Sequence, residues 1–156
     1  MQTPPAMEPN VAQARTIFAR VFVPIDYTMA SHRALGAALE LQRALGSAVC
    51  VYHDSESSTH DEFLGGLGGA KQGKGEAEGR MHRFLENVAP GAARKVEVRT
   101  RVGEEIEEGI RREAHDWGAT LVVLPESEHK GLLRSRAEKI QRELGIPTLL
   151  LPTERS

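Results

Sequence analysis

The chain has 156 residues, 40% of them hydrophobic and 27% charged, which suits a single domain able to bury a core of its own. A net charge of −2 supplies no basic field for nucleic acid or an anionic membrane, so neither is expected as a partner. A lone cysteine, Cys50, excludes an internal disulfide and a zinc cluster built from cysteines.

Residues 1–14 pair two prolines with polar residues and contain no apolar core. They read as a disordered tail rather than a secretory leader, and no segment approaches about 20 apolar residues. A cytoplasmic α/β domain over 15–156 is the expectation. Arg20 to Asp26 (RVFVPID) is a short β-rich run, read as the first strand. Ala34, Leu35, Ala38, Leu41 and Leu45 recur at helical spacing, and Gly46 follows as a C-cap. Ala48–Tyr52 is a continuous apolar run of strand length, as expected of a strand covered on both faces, and it encloses Cys50 as a buried, inert thiol. Residues 55–79 are polar and glycine-rich without periodicity and read as a flexible loop. Met81, Phe84, Leu85 and Val88 mark a second helix stopped by Pro90-Gly91. Val96 to about Val102 is a third strand. Ile106, Ile110, Ala114 and Trp117 mark a third helix, whose acids Glu104, Glu105, Glu107 and Glu108 suit the positive end of its dipole. Thr120–Leu124 is a fourth strand, Ser135–Leu144 a last helix and Pro147–Leu151 a fifth strand.

Strands alternating with helices imply right-handed crossovers and a parallel sheet with helices on both faces. Ligands in such sheets bind beyond the carboxyl ends of the strands, where the strand order reverses. Attention therefore falls on Asp26–Ser31, on His53 onward and on Pro125–Ser135.

Gly68–Lys74 fits G-x-x-x-x-G-K. A working P-loop follows its strand directly and carries Ser or Thr after the lysine, whereas Gly75 stands there, so a loop without phosphate is the better reading. His53-Asp54 and His60-Asp61-Glu62 offer metal-ligand types but lack helical i, i+4 spacing, and a polar surface loop is favoured. His32, His82, His115 and His129 stand singly among charged residues. No nucleophile signature such as G-x-S-x-G is present, and a non-enzymatic binding module is expected. Asp26 closes the first strand, where its carboxylate could accept hydrogen bonds from a ribose or a base, or could cap the following helix. Lys130, Arg134, Arg136, Lys139 and Arg142 could hold phosphates or form a solvated face. Ser135-Arg136-Ala137-Glu138 matches a capping box.

Two stretches, VFVPIDYTMASHRALGAALELQRALGSAVCVYHD and RVGEEIEEGIRREAHDWGATLVVLP, resemble the universal stress protein family, and RSRAEKIQRELGIPTLLL resembles its closing helix and strand. The resemblance spans about Val21–Leu151, interrupted at 55–80. It implies a Rossmann-like five-stranded parallel sheet of order 3-2-1-4-5. In members that bind ATP, an aspartate after the first strand contacts the nucleoside and a backbone group after the second meets adenine. A loop G-x2-G-x9-G-[S/T] after the fourth strand wraps the phosphates. By resemblance, Pro24 and Asp26 keep the first element, and Asp54 occupies the position of the second. The loop departs: Pro125, Glu128 and Arg134 stand where its glycines would be, and Pro125 to Arg134 is nine positions against thirteen, so four residues are missing. Proline has no N–H to offer, and Glu126 and Glu128 add negative charge. Lys130, Gly131, Arg134 and Ser135 remain as a partial substitute. The resemblance thus implies a regulatory module with weakened ATP binding. The alternative is an ATP- or AMP-binding member with a rebuilt loop and at most slow hydrolysis. It also implies a homodimer paired through Thr148, Leu149, Leu150 and Leu151, with a protein partner or small ligand as further possibilities.

Overall fold

A computed structural model describes residues 16–55, 69–102, 105–125 and 132–152. Among the described residues five strands alternate with four helices: β1 Arg20–Pro24, α1 Met29–Leu45, β2 Ala48–Ser55, α2 Gly69–Val88, β3 Glu97–Val102, α3 Ile106–Trp117, β4 Leu121–Pro125, α4 Leu132–Leu144 and β5 Thr148–Leu151. A 3-10 turn, Ala92–Arg94, links α2 to β3. The sheet is parallel with order β3-β2-β1-β4-β5, as the alternation and the family resemblance both imply. No helix among the described residues is long and apolar enough to cross a membrane.

Successive strand residues point to opposite faces, so each central strand feeds two cores. Val21, Val23, Val49, Val51 and Val123 pack with Ala34, Leu35 and Ala38 of α1 and Met81 and Leu85 of α2. Phe22, Cys50, Tyr52, Val122 and Leu124 pack on the other face with Ile110, Ala114 and Trp117 of α3 and Ile140 and Leu144 of α4. Burial of each large side chain stabilises the domain by about 1.5–3 kcal/mol before entropy is counted. This two-sided coverage is why β1, β2 and β4 read as unbroken apolar runs rather than alternating ones.

α1 is capped at one end by Thr28, whose hydroxyl accepts from Ser31 N, and at the other by Gly46 at φ +72°. The left-handed conformation there is the reason for glycine. α2 begins at Gly69, so the second half of the stretch expected to be a structureless loop is helical, while residues 56–68 lie outside the described residues. Ala70, Lys71, Gln72, Lys74, Glu76, Ala77 and Glu78 are good helix formers set between the glycines. The early turns show no apolar period because Gly75, Glu76 and Glu78 face solvent. α4 begins at Leu132, one turn before the expected start. Ser135 is therefore inside the helix and cannot be the N-cap of a Ser135–Glu138 capping box.

Candidate functional site

The strand order reverses between β1 and β4, so the carboxyl ends of β1, β2 and β4 frame the site. Pro24 is buried at the end of β1 and pairs with Tyr52. β2 continues past that pair to Ser55, running alongside β3. Ile25 N then donates to Tyr52 O at 2.7 Å, which directs the chain out over the sheet edge at Asp26.

Asp26 is not the N-cap of α1; Thr28 is. Its Oδ1 accepts from Thr28 N at 3.0 Å, from the Thr28 hydroxyl at 2.5 Å and from the Ser31 hydroxyl at 2.6 Å. In return Asp26 N donates to Ser31 Oγ at 2.9 Å. Oδ2 accepts from none of the described residues, and Asp26 is exposed. Partial burial works to raise the carboxyl, but the bonds from Ser31 and Thr28 outweigh it and hold Asp26 below its ordinary value. The result is an ionised carboxylate with one oxygen locked in place and the other open to hydrogen-bond donors.

Tyr27, next in the chain, has φ +63° and is the one non-glycine residue in the left-handed region among the described residues. Its ring lies 4.6 Å from His53 and 5.3 Å, edge-on, from Phe84, and the Arg80 guanidinium sits 4.2 Å from its centroid. Burial pushes its hydroxyl up, partly offset by the Arg80 cation. The His53 Nδ1 lies 2.9 Å from Ile25 O. A carbonyl only accepts, so Nδ1 is the donor in this contact.

Asp54 points the other way, toward α3, where the Tyr52 hydroxyl donates to its Oδ2 at 3.2 Å. Gly109 of α3 makes room for this pair. Beside it the buried Glu113 binds Arg99 Nε at 2.8 Å and Arg101 Nε at 2.7 Å. Since His53 and Asp54 face opposite sides of the sheet, they cannot converge on one ion, and no metal-binding group occurs among the described residues. Burial pushes the Cys50 thiol up to about 12, which leaves it inert at neutral pH.

The remaining expected residues divide. Pro125 ends β4 and pairs with Leu151. Arg134 and Ser135 fall in the first turns of α4, though their side chains, like the whole of Lys130 and Gly131, lie outside the described residues. His60, Asp61, Glu62, His129, Glu126 and Glu128 lie outside them too. Gly73 and Lys74 of the P-loop-like string are within helix α2, so the open phosphate-wrapping loop that such a motif needs does not form over 69–74. Thr148–Leu151 make up β5, at a sheet edge.

Sequence reasoning missed Tyr27, Arg80 and Phe84. One signal was available: Arg80 and Phe84 are four apart, on one face of a helix. A separate groove of about 640 Å3, lined by Leu39, Arg43, Val88, Pro90 and Lys95 among others, lies by the last turns of α1 and α2, away from Asp26.

The sequence matches the universal stress protein family over residues 18–152. Among solved structures, hypothetical protein MJ0577, the subject of a structure-based assignment of biochemical function, is similar with TM-score 0.68 and 21% identity, covering 90% of this chain and 99% of that one. A universal stress protein in complex with cAMP gives TM-score 0.61 and 16% identity over 88% of this chain and 98% of that one. The universal stress protein from Archaeoglobus fulgidus in complex with dAMP gives TM-score 0.54 and 19% identity over 86% and 98%. Comparison with curated proteins gives no significant match.

Proposed function

The chain belongs to the universal stress protein family, and from that premise we propose that it is a non-enzymatic regulatory module which holds a nucleoside through Asp26 but grips a triphosphate poorly. One observation carries this reading: at the switch point of the sheet, Asp26 is kept ionised and oriented by three bonds to Oδ1 while Oδ2 is open to a ligand hydroxyl. Solved relatives that carry cAMP and dAMP support a nucleotide as ligand. The reading of weak triphosphate affinity rests on sequence: Pro125 lacks an N–H, four loop residues are missing, and Glu126 and Glu128 repel phosphate.

A second reading, an ATP- or AMP-binding member with a rebuilt loop and slow hydrolysis, draws support from the early start of α4. Its first turns carry Arg134 and Ser135 close behind Gly131, and a helix N-terminus favours anions. Calorimetric titration with Mg-ATP separates the two. Affinity weaker than micromolar is expected. Micromolar binding that Asp26→Ala abolishes would overturn the weak-triphosphate reading in favour of the second.

A further inference from the structure

We infer that the groove between the last turns of α1 and α2 is a docking surface for the chain's own N-terminal segment, residues 1–15, with Glu8 seated against Arg43 and Lys95. The inference is independent of the nucleoside reading, because this groove lies toward the amino ends of the strands and Asp26 lies beyond their carboxyl ends.

The groove has a volume of about 640 Å3, and Leu39 of α1 with Val88, Ala89 and Pro90 gives it an apolar floor. Gln42 Nε2 donates to Lys95 O at 2.7 Å and ties α1 to the turn that follows α2. Arg43, Lys95 and Glu40 stand on the rim, an excess of one positive charge. Both cations are exposed, and neither side chain forms an ion pair or hydrogen bond among the described residues. The surface that results accepts apolar side chains in its floor and a carboxylate at its rim.

The chain enters the fold beside this groove. Phe18 packs against the core that α1 and α2 share, and Ala48 N donates to Ala19 O at 2.9 Å. That bond sets the chain entry against the start of β2, two residues after the Gly46 cap of α1. Arg43 is three residues before Gly46, about 5 Å back along the helix axis. From Arg15 to Glu8 is seven residues, which extend to about 25 Å, so the segment reaches the rim with slack. Ile17 is 41% and Leu45 47% exposed at this same end of the sheet, and a segment leading to Arg43 has apolar surface to cover on its way.

The segment has the matching chemistry. Glu8 is its one acid, Met7 and Val11 flank that acid, and Pro4, Pro5 and Pro9 restrict the backbone before it docks. As a separate peptide so short a sequence would bind weakly. Attached to the domain, it meets the groove at an effective concentration in the millimolar range.

The test is paramagnetic relaxation in the full chain, 15N-labelled and carrying a nitroxide at Ala6→Cys. Cys50 is 0% exposed and stays unlabelled. Relative to the reduced nitroxide, the amide signals of Leu39, Arg43 and Val88 should be broadened. Arg43→Glu with Lys95→Glu should lower the docked-to-undocked ratio about fivefold or more, and adding Glu8→Lys should restore it. The rim side chains are exposed and the Gln42 bond uses the Lys95 backbone, so these variants keep the fold. Broadening confined to the neighbours of Thr16, or centred on Leu149 at the β5 edge, would overturn the inference, as would indifference to the charge reversals. So would broadening of the groove in a mixture of unlabelled-spin 15N chains with spin-labelled 14N chains, which would assign the groove to the segment of a second copy.

Discussion

Gly109→Ala is expected to destabilise the domain, although helix propensity by itself favours alanine there by about 1 kcal/mol. Gly109 is buried in the first half of α3. A Cβ at this position would lie 2.5 Å from the Tyr52 hydroxyl and 2.9 Å from Asp54 Oδ2. Tyr52 cannot swing aside: it is 1% exposed, and its ring is stacked on Phe22 at 5.7 Å. Inserting a methyl group into packing of this kind costs roughly 1–3 kcal/mol. After the propensity gain, a net loss of up to about 2 kcal/mol remains, or a fall in Tm of up to roughly 8 °C for a domain of this size. Tyr52→Phe removes the atom at 2.5 Å. By itself it should cost about 1 kcal/mol for the lost hydrogen bond to Asp54. Combined with Gly109→Ala, it should cost less than the two separate losses added together. Denaturant unfolding of the four proteins measures that coupling. A Gly109→Ala variant more stable than wild type, or strictly additive losses, would refute the packing argument.

Asp26→Asn should remove a pH dependence. The folded carboxyl lies below its ordinary value of 3.8, so in acid the unfolded chain binds more protons than the native one and stability rises with pH. The contribution is complete above the unfolded value and disappears as pH falls through the folded one. The stability gap between wild type and variant should therefore close as urea titrations descend from about pH 6 to pH 2, and a constant gap would contradict the geometry. We also propose that the protein forms a homodimer through β5, an edge strand whose Leu149 is 38% exposed. Leu150 packs into the α3–α4 core, so Leu149→Lys is the substitution that probes the edge without disturbing the interior. Light scattering should give a dimer for wild type and a monomer for the variant, and a monomeric wild type or a fully dimeric variant would end the proposal.

What could be read in advance was what burial writes into composition. β1, β2 and β4 are covered on both faces, so their apolar runs stand out, and α1 and α3 each present one clean apolar stripe to the sheet. Gly46 announced its left-handed cap, and Asp26 announced itself by following a strand at the switch point. Errors arose where exposure removes the pattern. The first half of α2 carries three glycines, and its Gly75, Glu76 and Glu78 face solvent, so nothing periodic marks its start at Gly69. At α4, the Ser135–Glu138 spacing imitates a cap that the helix has already passed. Thr28 could have been identified as the true cap of α1 from the Thr-x-x-Ser spacing to Ser31, whose hydroxyl serves both Asp26 oxygen and nitrogen.

The Tyr27 cluster was illegible for a different reason: its members come from three elements and depend on one another. A non-glycine residue in the left-handed region costs about 1–3 kcal/mol. Against this stand two aromatic contacts at roughly 0.5–1.5 kcal/mol each and one cation–π contact at about 0.5–1 kcal/mol. Together the three contacts are of the same order as the backbone cost and offset it. His53 comes from β2, while Phe84 and Arg80 come from α2. The packing of Tyr27 beside Asp26 therefore depends in part on the seating of α2 against the sheet.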